Sequence, residues 1–246
     1  MGTGNNILCA AVVLGALLLQ PAASRQWQHG WDTVSDMWWG DFGYSLLSAP
    51  QAQFVASNYK VVSLEKCTGQ AQGVTTERGI YQTARQLKAL NPDLKVLFYW
   101  SVTQAGIGCY AANATLAAHP EWLLRDDSGA VVTPPRIDLT NAAACDWWLG
   151  VPLNGTDPEA PGLIDGILAD DAGYNSIPNF SAARSAAQYA AKHDLLARMQ
   201  RRFTAANGGI VMGNGLSEYD QNPADPHNRE ALVHMDASHS STWLMC

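Results

Sequence analysis

The stretch 162-GLIDGILADDAG-173 is an apolar run that ends abruptly on two aspartates. Its core, Ile167-Leu168-Ala169, has the length and composition of a buried strand, and two acidic side chains follow at once. Asp and Gly commonly close strands by entering turns. A second reading is a catalytic mouth, because the C-terminal ends of parallel strands form the active face of an α/β barrel. The rest of the chain must decide between the two.

Working outward, strand-like and helix-like segments alternate. Residues 37–44 (MWWGDFGY) read as a first strand, followed by a helix over Pro50–Asn58. Residues 59–67 (YKVVSLEKC) form a β-branched run ending at Glu65. The next helix, Thr76–Leu90, sets Ile80, Ala84 and Leu87 on one face and is stopped by Asn91-Pro92. Residues 94–101 (LKVLFYWS) are almost continuously apolar, as expected of a parallel strand covered on both faces. A long insertion follows, with a partly helical stretch broken at Pro120, a hairpin turn at 125–132 and a short strand at 136–139. That strand runs into a helix N-capped by Thr140 or Asn141. After the fourth strand comes a helix from Ser181 to Ala206, with an expected inner stripe of Ala183, Ala187, Ala191, Leu195, Met199 and Phe203 and a surface pair Asp194–Arg198. Residues 208–215 (GGIVMGNG) and 231–238 (ALVHMDAS) supply a fifth and a sixth strand. This alternation predicts βαβ units and a parallel sheet. The expected fold class is α/β, of the (β/α)8 TIM-barrel type and incomplete at its C-terminal side, with about six of the eight strands. An open doubly wound sheet is the alternative, but no GxGxxG follows the first strand and no phosphate-binding loop occurs.

Composition narrows the function. The 246 residues carry 15 basic and 22 acidic side chains, for a net charge of −7, which argues against nucleic acid or an anionic membrane as partner. Nine tryptophans offer flat apolar faces that suit sugar rings as well as cores. Residues 1–24 hold no charged side chain, and Ile7–Leu19 is too short to span a bilayer, with Ala22-Ala23-Ser24 behind it. This segment is expected to be a secretory signal, leaving 25–246 as a single barrel domain and no membrane span in the mature chain. Secretion agrees with four remaining cysteines, Cys67, Cys109, Cys145 and Cys246, and with N-glycosylation sequons at Asn113, Asn154 and Asn179. Cys67 and Cys109 follow adjacent strands and are the expected disulfide, with Cys145 free or joined to Cys246; a local Cys109–Cys145 link is the alternative.

The expected strand ends carry Asp41, Glu65, Tyr99-Trp100, Asp170-Asp171, Asn214 and Asp236. This is a ring of carboxylates and aromatics rather than of Ser, Cys and His. Paired carboxylates cleave glycosidic bonds without a cofactor, one protonating the leaving oxygen while the other attacks or stabilises the oxocarbenium-like centre. Asp170, Asp236 and Glu65 are the catalytic candidates. Asp41, Trp39, Tyr99, Trp100, Asp171 and Asn214 are the substrate-binding ones. Alternation along the strand assigns the two aspartates different tasks, Asp171 supporting Asp170. His234 and His239 do not have the spacing of metal ligands, and no metal is expected.

In combination, KVLFYWS, RIDLTNAAACDWWL, DGILADDAG and IVMGNG resemble the glycoside-hydrolase-like TIM barrels, and more narrowly the hypothetical glycosyl hydrolase family fifteen group, over residues 35–240. The resemblance implies a catalytic aspartate at the end of the fourth strand, which maps onto Asp170. It also implies a second acid after the sixth strand, where this sequence offers Asp236 in place of the usual Glu. The function expected from residues and resemblance together is a secreted glycoside hydrolase acting on an oligo- or polysaccharide. A catalytically silent glycan-binding barrel and a structural or adhesive secreted protein are the alternatives.

Overall fold

The computed structural model describes residues 37–40, 43–154, 162–173, 180–207, 209–214 and 237–239. Six strands, β1 (Met37–Gly40), β2 (Val61–Leu64), β3 (Lys95–Ser101), β4 (Gly166–Asp170), β5 (Ile210–Asn214) and β6 (Ala237–His239), form one sheet. Every pairing is parallel, and the spatial order is the sequence order, β1-β2-β3-β4-β5-β6. A doubly wound sheet reverses direction at a switch point. No reversal occurs among these six strands.

The crossovers are α1 (Ala49–Asn58), α2 (Thr76–Leu90), α4 (Ala142–Asn154) and α5 (Ala182–Asn207), while the short α3 (Asn113–Ala118) belongs to the β3–α4 insertion. Two of them begin at side-chain caps. Ser48 and Gln51 make a capping box for α1, and Asn141, rather than Thr140, accepts the Ala143 and Ala144 amides at the start of α4. Asn91 closes α2 and sends its side-chain amide to the Ala56 carbonyl, tying the ends of α1 and α2 together.

Strand alternation sorts the apolar residues into two sets. Val62, Leu64, Val96, Phe98, Trp100, Ile167, Ala169 and Val211 face the helices and pack on Ala52, Val55, Ile80, Leu87, Trp148, Leu195 and Met199. Val61, Leu97, Tyr99, Leu168 and Ile210 make a smaller cluster on the other face, with Met37, Trp39 and Met212 against it. The continuous apolar run of β3 is therefore two interleaved faces, both covered. At Gly166 a Cβ would stand 1.9 Å from the Ile210 carbonyl oxygen, so only glycine permits this approach of β4 and β5.

The insertion is closed on itself by antiparallel bridges Gln104–Arg136, Leu123–Ile137 and Arg125–Val131. It is fastened to α5. Asp127 accepts the Ser181 amide and pairs with Arg184 at 2.7 Å, and Gln188 donates to Asp138 while accepting the Leu139 amide. Asp138 is thus a brace.

One sequence expectation changes here. In the first half of α5, Ala183 and Ala187 are exposed, and Arg184, Gln188 and Lys192 turn toward the insertion and the sheet; of the expected stripe, Ala191, Leu195, Met199 and Phe203 pack on the core. Polar partners in the insertion, invisible to helical periodicity, set this rotation. β6 is described over Ala237–His239, overlapping the end of the expected run, and its C-terminal end lies beyond Asp236. Cys145 is a buried free thiol, one of the two states expected of it; it donates to the Leu139 carbonyl, and burial pushes its pKa up to about 11. The expected signal segment, Asp41, Asp236, Cys246 and Asn179 lie outside the described residues, as does the Asn154 side chain. Among the described residues no helix is long and apolar enough to cross a membrane.

Candidate active site

The C-terminal ends of five consecutive strands carry a linked set of polar groups. Alternation sends Trp39, Glu65, Tyr99, Asp170 and Asn214 to the face away from the helices. Trp39 Nε1 donates to Glu65 Oε1 at 2.8 Å. Lys66 Nζ lies 3.0 Å from Glu65 Oε2, donates to the Tyr99 hydroxyl at 3.4 Å and sits 4.6 Å above the Tyr99 ring. Tyr99 in turn donates to Asp170 Oδ2. Asn214 Nδ2 reaches Asp170 Oδ1 at 2.7 Å, and the Asp171 amide donates to the same oxygen at 3.0 Å.

Asp170 therefore accepts three hydrogen bonds. Burial and the Asp170 charge drive the Tyr99 hydroxyl far above the ordinary tyrosine range, so it stays a donor. Tyr99 is only 2% exposed and lies beneath the mouth, whereas the Lys66 side chain is 43% exposed. The Tyr110 hydroxyl donates to the Tyr99 carbonyl at 2.6 Å and steadies β3 from the helix side.

Asp171 departs from the extended geometry that simple alternation assumes. Its φ is +56°, in the left-handed region, which Asp enters more readily than most residues. The turn brings its carboxylate onto Ser101 Oγ at 2.7 Å and returns its amide to Asp170. Burial first, and then the Asp170 charge, raise the Asp171 pKa, against the pull of Ser101, Arg136 and Lys192. Behind this turn lies Lys192, buried in α5, with Nζ donating to the Gly173 carbonyl. Burial lowers its pKa to about 7, although Asp171 opposes the shift.

The structure thus brings Glu65, Trp39, Tyr99, Asp170, Asp171 and Asn214 together and excludes Trp100. Trp100 is 4% exposed on the opposite face, packed against Tyr110, Trp147 and Trp148, so it is corrected to a core residue. One residue of strand separates it from Tyr99, and that step reverses the face. Lys66, Ser101, Arg136 and Lys192 join this set beyond the site residues expected from sequence, where Lys66 is only the neighbour that can pair with Glu65. Ser101 had a signal: it ends β3 in register with Asp170. Lys192 had none, because a lysine on an expected surface helix reads as solvated.

The disulfide Cys67–Cys109 follows Lys66 directly and ties the β2–α2 loop to the insertion. Thr76 helps by accepting the Cys67 amide and donating its own amide to the Cys109 carbonyl. Asn113 stands at the start of α3 with its side-chain amide directed at the Ile107 and Gly108 carbonyls. Among the described residues no group of His, Cys, Asp and Glu is arranged to hold a metal ion.

No protein-family model matches the chain, and no curated protein matches it. Solved structures do. The beta-galactosidase from the psychrophilic Marinomonas ef1 superposes with a TM-score of 0.51 at 7% identity, covering 79% of this chain and 38% of that one. The alpha-amylase from Geobacillus thermoleovorans, complexed with acarbose, gives a TM-score of 0.42 at 8% identity, covering 71% of this chain and 40% of that one. The chain spans about two fifths of the length of each. At this identity the first likeness concerns the fold alone: a parallel α/β sheet of the kind found in that beta-galactosidase.

Proposed function

We propose that the chain is a glycoside hydrolase of (β/α)8 type, related to the glycoside-hydrolase-like barrels, in which Asp170 is the anionic catalytic group. The observation that carries this reading is the donor set of Asp170. Three hydrogen bonds, from Tyr99, Asn214 and the Asp171 amide, hold one carboxylate at the end of the fourth of six consecutively ordered parallel strands. Such a group suits attack on an anomeric carbon, or activation of a water that does so. Closure into a barrel calls for two further strands beyond the six.

Glu65 is the second carboxyl of this proposal. It lies two strands away, and to protonate the leaving oxygen it must first part from Lys66 and take up a proton from solvent, a separation that the exposure of Lys66 permits. Trp39, anchored through its indole nitrogen to Glu65, offers a sugar-stacking surface beside it. Secretion belongs to the same proposal. The Cys67–Cys109 bond supports it, because such bonds persist in oxidising compartments.

The test is a panel of 4-nitrophenyl glycosides and polysaccharides assayed with the full chain, Asp170→Asn and Glu65→Gln. Hydrolysis of at least one substrate, abolished in Asp170→Asn and strongly reduced in Glu65→Gln, is expected. Glycan binding without turnover would replace the enzyme by a glycan-binding barrel. Turnover that survives Asp170→Asn would remove Asp170 from the mechanism.

A further inference from the structure

Fully buried lysines are rare, because removing an ammonium from water costs several kcal/mol unless it is paired and hydrogen-bonded. Lys192 is 4% exposed, in the middle of α5, at the point where the inward stripe changes from polar to apolar. Met199 and Leu195, further along the same face, show that a hydrophobic residue suits this helix–sheet contact. The ammonium nevertheless sits behind the turn that bears the two aspartates. It donates to the Gly173 carbonyl, lies 5.1 Å over the Tyr189 ring and faces the charges of Asp171 and Arg136.

That turn is held from three directions. The Val102 amide donates to the Asp170 carbonyl from β3, the Ala172 amide donates to the Asn214 carbonyl on β5, and Lys192 takes the Gly173 carbonyl from α5. Between these anchors Asp171 adopts its left-handed conformation, which points its amide at Asp170 and its carboxylate at Ser101. The first two anchors are ordinary backbone contacts at strand ends. The third is a buried charge with no role in covering the core.

We infer that Lys192 is a positioning residue of the candidate site: its buried ammonium holds the Asp170–Gly173 turn and the charge of Asp171, so that the Asp171 amide completes the donor set of Asp170. This deepens the glycosidase reading and rests on it for its catalytic consequence, but the coupling of Lys192 to Asp171 stands independently. Because burial places the Lys192 pKa at about 7, the coupling is pH-dependent. Below that pH the ammonium supports the Asp171 carboxylate. Above it, the neutral amine leaves Asp171 with Arg136 as the remaining facing cation, and the turn loses its charged anchor.

The test has a substrate-free arm and a kinetic arm. In the full chain with 13C-labelled carboxyls, the Asp171 carboxyl resonance is followed from pH 4 to 9 in wild type, Lys192→Met and Lys192→Gln. Wild type is expected to show an inflection near pH 7 in addition to the titration of Asp171 itself, and both variants are expected to lack it. In the kinetic arm, with whichever 4-nitrophenyl glycoside is turned over, Lys192→Met should lower kcat about tenfold to a hundredfold with KM little changed. Lys192→Gln, which keeps a donor for Gly173 without the charge, should recover part of the loss. Lys192→Met is also expected to melt no lower than wild type at pH 6, because it removes a buried charge.

No inflection in wild type, an inflection that persists in Lys192→Met, or wild-type kcat in that variant would each overturn the inference. So would a marked fall in the melting temperature of Lys192→Met, which would make the residue a structural support. Should no glycoside be hydrolysed while the inflection behaves as expected, the enzyme reading fails and the Lys192–Asp171 coupling remains.

Discussion

Tyr99 and Asp170 meet across neighbouring strands: the hydroxyl from β3 donates to Oδ2 of the carboxylate that ends β4. Their residues are offset by two in register, since Asp170 pairs with Ser101 and Tyr99 with Leu168, so both side chains leave the same face. The hydroxyl is buried and the carboxylate half-buried. Tyr99→Phe removes the donor and leaves one carboxylate oxygen unpaired in a low-dielectric site. A hydrogen bond to a charged group contributes about 1.5–3 kcal/mol, so hydrolysis should fall by about tenfold to a hundredfold. Circular dichroism and melting curves close to wild type would locate the effect in the site, because Phe retains the apolar body of the side chain.

Asp170→Asn and Asp171→Asn should separate activity from stability. Asp170→Asn abolishes turnover if this carboxylate attacks or activates the nucleophile. For Asp171 the sign follows from its pKa, raised by burial and by Asp170. The folded state binds the proton more readily than the unfolded state. The ionised side chain therefore opposes folding at pH values above the folded pKa, and that opposition disappears as pH falls below the ordinary Asp value. Asn also tolerates the left-handed backbone and can accept from Ser101. Asp171→Asn should consequently raise the melting temperature at pH 7 and change it little at pH 3. Melting curves at the two pH values test this.

The Cys67–Cys109 bond closes a loop with a sequence separation of 42. On the chain-entropy account, a loop of that size stabilises the fold by about 4 kcal/mol. Cys67→Ser with Cys109→Ser should therefore unfold at distinctly lower denaturant concentration. Since Lys66 immediately precedes Cys67, the double variant should also raise KM or lower kcat under conditions where it is still folded. Urea titrations and kinetics at 10 °C separate the two effects.

Glu77 is a buried carboxylate on α2 that accepts the Ala111 and Ala112 amides, both at 2.8 Å, at the start of α3. Removing it leaves two backbone donors without an acceptor, at about 1–3 kcal/mol each. Glu77→Ala should destabilise the chain by several kcal/mol in denaturant titration. Glu77→Gln, which keeps one acceptor oxygen, should cost less than half of that.

Much of the fold was legible in the chain itself. The runs at 61–64, 95–101, 166–170 and 210–214 are β-branched or apolar, are separated by helices with recognisable caps and stops, and could only be parallel strands covered on both sides. The helix over Thr76–Leu90 is stopped at Asn91-Pro92, a local signal that needs no tertiary partner. A carboxylate ending the fourth strand, an acid ending the second and a Cys67–Cys109 approach were equally local, because each follows from strand order and residue position.

What only tertiary structure decided lies where a side chain's environment comes from distant chain. Trp100 and Tyr99 are adjacent in sequence, and strand registration put one into the core and the other beneath Asp170. The rotation of α5 was set by Asp127, Asp138 and the Gly173 carbonyl, which claim Arg184, Gln188 and Lys192, so that Ala183 and Ala187 were left in solvent. Asp171 left the extended conformation because anchors on β3, β5 and α5 hold the turn that contains it. Local propensity can name strands, caps and a carboxylate at a strand end. The partners that orient that carboxylate are 1, 44 and 71 residues away in sequence, and only packing brings the distant ones together.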